Sequence, residues 1–206
     1  MNRRWSIATG VALLVLAVVA GATQGLVFSG LDPDRPATFV DSGPALALAA
    51  VAFVTVVLLD VVIGCGLWRV LRDRAPRASG VAAALRIGYA GWLAVATIWL
   101  VRAAGAGAEG SAQAAAHYAV FDRQWQISLG LFGLHLLVLG FALWPRARIV
   151  AGLVALSGLG YAIDGLGHAI SPAYAGDVAM FTFFGEVVLS LWLLIRGGRD
   201  AGALKH

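Results

Sequence analysis

Apolar residues in this chain do not alternate with polar ones. They run on. Six stretches, residues 5–28, 44–68, 80–101, 125–144, 149–170 and 178–195, pass with few ionisable side chains or none, each bounded by charge, proline or glycine. Runs of about 20 apolar residues match the hydrocarbon thickness of a bilayer. A closed barrel would show short alternating segments with polar lumen positions, whereas these runs are continuous and rich in Ala, Leu, Val and Gly. The pattern therefore predicts an all-α fold: a polytopic transmembrane helix bundle of six transmembrane helices, forming one integral membrane domain over residues 1–206.

Composition agrees. With 60% hydrophobic and 13% charged residues and a mean hydropathy of +0.85, a soluble core of this size could not hide the apolar surface. A pI near 9.8 and a net charge of +4 would point to nucleic acid only if Lys and Arg gathered on one folded face. Here they sit between the spans, so the expected partner is the lipid bilayer and not nucleic acid. Arg3, Arg4, Arg69, Arg72, Arg74, Arg77, Arg146, Arg148, Arg196, Arg199 and Lys205 fall on one side, against Arg35, Arg102 and Arg123 on the other. That imbalance predicts N- and C-termini in the cytoplasm. Arg3 and Arg4 before an apolar run also resemble a secretion signal. The run is longer than a signal core, and is read as a retained first helix.

Trp5, Trp68, Trp144 and Trp192 would lie near the inner interface, and Trp99, Trp125, Tyr118 and Tyr174 near the outer one. Residues 103–123, rich in Ala, Gly and Gln, read as an outer loop with at most a short surface helix. Gly21 and Gly25, and the series Gly158, Gly160, Gly165 and Gly167, would let helices approach closely within the bundle. Cys65, the single cysteine, reads as a small buried packing residue.

The chemistry lies in six ionisable residues inside the spans: Asp60, Arg86, His135, Asp164, His168 and Glu186. A charge in hydrocarbon costs several kcal/mol, so such residues face inward and find partners. At 1.5 Å per residue, Asp60 lies about 12 Å from the inner edge, Arg86 about 9 Å, and His135 and Glu186 about 14 Å. Asp60 and Arg86 sit on consecutive antiparallel helices and are expected to form a buried ion pair. Glu186 and His135 are expected to meet and to share a proton. Asp164 and His168, four residues apart, share a helix face about 22 Å in, either as a solvated pair or as a ligand site. An Asp on the second helix of each half (Asp60, Asp164) and a charge on the third (Arg86, Glu186) would also suit an inverted repeat.

Absences narrow the field. The single lysine, Lys205, lies in the tail, which excludes a Schiff base within the bundle. A serine–histidine pair is disfavoured, because Ser157 lacks a glycine two residues earlier and the sixth span has no histidine. There is no HExxH, P-loop or dinucleotide fingerprint. A metal held by His135, Asp164, His168 and Glu186 together would have to bridge depths differing by about 8 Å. No metal and no cofactor is expected.

Residues 132–140 (FGLHLLVLG), 157–167 (SGLGYAIDGLG), 185–186 (GE) and 191–197 (LWLLIRG), with Asp60 and Arg86, resemble the bacterial membrane family of domain of unknown function 4386. The resemblance runs from the second helix to the end. It implies a multi-span protein of the bacterial cytoplasmic (inner) membrane, with Asp60, Arg86, His135, Asp164 and Glu186 as family-type positions and His168 unmapped. The leading functional expectation is a small proton- or ion-coupled transporter or permease with a midplane carboxylate–histidine site, acting on a small molecule, proton or ion. The alternatives are an intramembrane enzyme acting on a lipid or quinone-like substrate, and a non-catalytic assembly subunit or sensor. Substrate and oligomeric state do not follow from the residues.

Overall fold

The computed structural model describes residues 3–106, 110–171 and 173–196. Arg199 and Lys205 of the charge pattern, and Glu109 of the outer segment, lie outside the described residues. The elements are α1 (Arg3–Leu26), α2 (Gly43–Leu71), α3 (Pro76–Gly105), α4 (Ser111–Leu143), α5 (Arg148–Ile170), α6 (Val178–Thr182) and α7 (Phe184–Ile195). Two 3₁₀ turns, Phe28–Gly30 and Pro36–Phe39, lie between α1 and α2. Among the described residues six helical segments are long and apolar enough to cross a membrane, with α6 and α7 making up the last. No strand occurs among the described residues.

Each main helix packs on its neighbours in chain order, and α7 returns to α1, so the spans close into a ring. Their outward faces stay apolar, with Val18, Leu26, Leu58, Val61 and Ile163 exposed. Water would not tolerate so much uncovered hydrocarbon, whereas lipid is its natural solvent. Cys65 belongs to this outward face, which corrects the expectation that it is buried. A thiol is apolar enough to need no interior partner.

Glycine sets the tightest contact in the ring. A Cβ on Gly133 of α4 would stand 2.5 Å from the Ala162 nitrogen of α5, and one on Gly165 would run into the backbone of Gly130. Interhelical packing in a bilayer relies on such close approach, because lipid tails supply no hydrophobic drive between helices. The Gly21–Gly25 pair behaves differently from its expected role. Nothing lies within 4 Å of a Cβ at either position, so the face of α1 that carries them does not pack within the bundle.

The expected outer loop at 103–123 is mostly helix. The segment from Ser111 extends α4 to 33 residues, about 50 Å and longer than the hydrocarbon needs. Ala and Gln give this stretch low hydropathy yet good helix propensity. Its Ala114, Ala115, Tyr118 and Phe121 are buried. Tyr118 and Trp125 point inward, not into an interfacial belt. Phe28, from the turn after α1, enters the ring and sets its ring centroid, in tilted or edge-to-face contact, 5.4 Å from Tyr118, 5.6 Å from Phe53 and Phe121, and 6.2 Å from Trp125. Phe39 from the second turn reaches Tyr118 at 5.4 Å. This aromatic plug closes the ring at the end away from the arginine-rich connections. At the other end Arg69 lies 4.3 Å over the Trp5 ring and Arg72 lies 5.1 Å over Trp68, the cation–π arrangement suited to a membrane interface.

The glycine contact yields a paired test. Gly165→Leu should force α4 and α5 apart and lower stability in detergent by roughly 1–3 kcal/mol or more. Gly91→Leu, where nothing lies within 4 Å, should leave thermal unfolding nearly unchanged.

Candidate functional site

Helical periodicity turns one polar residue from each of several spans toward the ring interior at nearly one depth. Asp60 (α2), Arg86 (α3) and His135 (α4) are all buried. Arg86 places Nε 2.9 Å and Nη2 2.6 Å from the same oxygen, Asp60 Oδ1. Oδ2 is left without a donor among the described residues. The third nitrogen, Nη1, lies 3.2 Å from His135 Nε2, and the guanidinium also sits 5.1 Å over the Phe132 ring. The expected ion pair is therefore formed, with a histidine on its far side.

The bonds of His135 define its state. A guanidinium can only donate, so Nε2 is the acceptor and carries no hydrogen. Nδ1 lies 2.8 Å from the Ala82 carbonyl oxygen, which can only accept, so Nδ1 carries the hydrogen. His135 is thus the neutral Nδ1–H tautomer, and a second proton at Nε2 would face the guanidinium.

Glu186 does not form the expected pair with His135. The Tyr161 hydroxyl of α5, Arg86, Asp60 and Tyr89 lie within its electrostatic reach. The physical reason is ring order. In that order α4 sits between α3 and α5, while α7 sits between α5 and α1. Equal depth brings two residues together only when their helices are neighbours. The Trp125 side chain of the aromatic plug lies within electrostatic reach of Tyr89. Phe132 separates the two halves of the layer, 5.0 Å from Tyr89 and 5.2 Å from Tyr161.

The sixth span is interrupted at Phe183, between α6 and α7. Ser157 of α5 fills the break: its hydroxyl donates to the Thr182 carbonyl, and it accepts from the Gly185 N–H at 3.1 Å. A backbone break inside hydrocarbon is tolerable only when its freed groups find such partners. Gly185 has no side chain because a Cβ there would collide with the Leu153 carbonyl. Glu186 follows in the first turn of α7.

Asp164 and His168 take other roles. Asp164 is buried, accepting from the Tyr174 hydroxyl at 2.8 Å and from the N–H groups of Val178 at 3.1 Å and Ala179 at 2.7 Å. It anchors the first turn of α6 and is neither a solvated partner of His168 nor an open ligand. His168 meets the edge of the Tyr174 ring at 5.1 Å. Tyr174 lies against Gly167 and Gly176, where any Cβ would strike it. Asp164 thus does for α6 nothing like what Asp60 does for Arg86, and the inverted-repeat correspondence fails at the level of partners. Among the described residues no three His, Cys, Asp or Glu side chains converge on a metal-sized site.

Three members of the layer escaped the sequence reading. Tyr89 follows Arg86 by three residues, and Tyr161 precedes Asp164 by three, a spacing that places each on the same helix face as a recognised polar residue. Ser157 was weighed only as a nucleophile.

The family described as domain of unknown function (DUF4386) matches residues 8–197, which includes every residue of the layer. An uncharacterized protein of Archaeoglobus fulgidus is 30% identical over 145 residues, covering 69% of this chain and 79% of the relative. No solved structure matches the chain.

Two measurements check these assignments. Asp60→Leu or Arg86→Met alone strands a buried charge and should cost about 3–5 kcal/mol, while the double variant should cost far less than the sum. Stability and folded yield in detergent report both. Tyr174 lies outside the spans, and its hydrogen bond to Asp164 raises its phenol above the ordinary value. That bond is made by the protonated phenol. Its contribution is complete below the ordinary phenol range and is lost as pH climbs through the raised value. Asp164→Asn should lower the Tyr174 midpoint in an alkaline phenolate titration, isolated by difference against Tyr174→Phe.

Proposed function

We propose, for a chain that belongs to the family described as domain of unknown function (DUF4386), a small proton- or ion-coupled permease of a cytoplasmic membrane. The observation that carries this reading is Glu186, a carboxyl group near mid-span, directly behind an interruption in its own helix. Ionisable residues inside spans are costly and mark ion or substrate pathways, and interrupted helices recur where such sites are built. The other charges of the interior are already matched. Arg86 holds Asp60, three donors hold Asp164, and the bonds of His135 keep it neutral. Among the described residues Glu186 has no ion pair, and the Tyr161 hydroxyl lies within its electrostatic reach.

A second reading, a non-catalytic assembly subunit, is favoured by one observation: the Asp60–Arg86–His135 group is closed on itself and suits a fixed structural core. No observation favours the intramembrane-enzyme reading. In the permease reading the closed group keeps the helices in register, and Glu186 is the functional carboxyl.

Proteoliposomes with a trapped pH-sensitive dye and an imposed potassium diffusion potential separate the two. The permease should acidify the lumen faster than empty vesicles do, and Glu186→Gln should slow this by about tenfold or more. Flux equal to that of empty vesicles, or unchanged in Glu186→Gln, would favour the assembly subunit and end the permease reading.

A further inference from the structure

A guanidinium and a carboxylate pair most strongly edge to edge, with two nitrogens on two oxygens. Arg86 and Asp60 meet differently. Nε at 2.9 Å and Nη2 at 2.6 Å both approach Oδ1, while Nη1 turns to His135 Nε2 at 3.2 Å. This end-on contact leaves two atoms over. Oδ2 has no donor among the described residues, and Nη2, close as it is to Oδ1, makes no aligned hydrogen bond. Asp60 is 1% exposed and Arg86 0%, so neither atom reaches bulk water. His135 has nothing to offer them, because Nε2 accepts from Nη1 and the Nδ1 hydrogen goes to the Ala82 carbonyl. A buried carboxylate oxygen without a donor is costly, and buried polar atoms that no protein group serves are where internal water is held.

We infer that Asp60 and Arg86 bind one internal water molecule, which donates to Asp60 Oδ2 and accepts from Arg86 Nη2. The site stands whether the protein is a permease or an assembly subunit. Its dimensions suit a single oxygen atom. The two oxygens of a carboxylate lie about 2.2 Å apart, so Oδ2 and Nη2, the latter 2.6 Å from Oδ1, are within about 5 Å of one another. Two hydrogen bonds of about 2.8 Å meeting at one oxygen span that separation.

The polarity of the two atoms favours water over an ion. An open acceptor needs a hydrogen and the open donor beside it needs a lone pair, and water supplies both. A cation at Oδ2 would serve the oxygen and set its charge against the Nη2 hydrogens. A proton on Oδ2 would neutralise the partner of a buried guanidinium and leave Nη2 unmet. With the water in place each Asp60 oxygen has a donor. One guanidinium then serves both oxygens of the α2 carboxylate, one directly and one through the bridge, and keeps Nη1 for His135 on α4. A bridging water is nearly as good as a direct hydrogen bond in enthalpy, so the end-on geometry no longer sacrifices the second contact.

Infrared difference spectra of the full-length protein in lipid nanodiscs, recorded in ordinary and in heavy-oxygen water, test this. The wild type should show an O–H stretching band that shifts in heavy-oxygen water and persists in Glu186→Gln. The band should be lost in the double variant Asp60→Leu with Arg86→Met, which removes both open atoms without stranding a charge. Asp60→Asn, which keeps the size of the side chain, should move the band to higher frequency, because the water then faces an amide in place of a carboxylate. Circular dichroism confirms that each variant is folded, and Asp60→Asn decides the matter if the double variant is not. The unfolding temperature should be the same in sodium chloride and choline chloride at equal ionic strength. Absence of an isotope-sensitive band, or a band unchanged in the folded variants of Asp60, overturns the inference. A protonated-carboxyl band that disappears in Asp60→Asn would overturn it in favour of a proton on Oδ2. An unfolding temperature that rises with sodium and not with choline would overturn it in favour of a bound cation.

Discussion

A guanidinium enclosed by hydrocarbon has to be matched where it stands, and the interior of this protein is arranged around that requirement. Arg86 spends two nitrogens on one oxygen of Asp60, a third on a histidine, and its face on Phe132. Because the three polar partners come from α2, α3 and α4, the match also determines how those helices are rotated against one another. A rotation that turned any one of them outward would put a bare charge or an unmet polar group into lipid.

The remaining charges are handled by different means, and the differences separate structural from chemical roles. Asp164 is held by N–H and O–H donors, the way an isolated carboxylate is stabilised without a counter-ion. Its oxygens bind the start of α6 to α5, and Ser157 holds the other end of α6 at the break. The short outer half of the sixth span therefore hangs on α5 through side chains, whereas α7 packs between α5 and α1. Glu186 stands at the joint between those two halves. In the permease reading, that places the functional carboxyl where the backbone is already interrupted.

Glycine and aromatic residues make that arrangement compact. The α4–α5 contact brings backbones together at Gly130, Gly133, Gly158 and Gly165, so the helices carrying His135 and Tyr161 lie side by side. On the opposite side of the layer Phe28, Phe53, Phe121 and Trp125 fill the ring. The polar groups are thereby enclosed by apolar contacts on one side and by closely spaced backbone on another.

Hydropathy alone determined that there are six spans, that they are helical, and that Asp60, Arg86, His135 and Glu186 lie at similar depth, because rise per residue converts sequence position directly into distance along the membrane normal. The Asp60–Arg86 pair was legible too, since a short connection forces α2 and α3 to be antiparallel neighbours. The segment 103–123 was misread because low hydropathy reports unsuitability for lipid and says nothing against a helix. The partner of Glu186 was decided only by tertiary structure. Depth is one coordinate, but contact needs a second, the order of helices around the ring and the face each one turns inward. That order emerges from backbone approach at glycine, from the Ser157-filled break and from the match to Arg86, which are interactions between distant parts of the chain that no local pattern encodes.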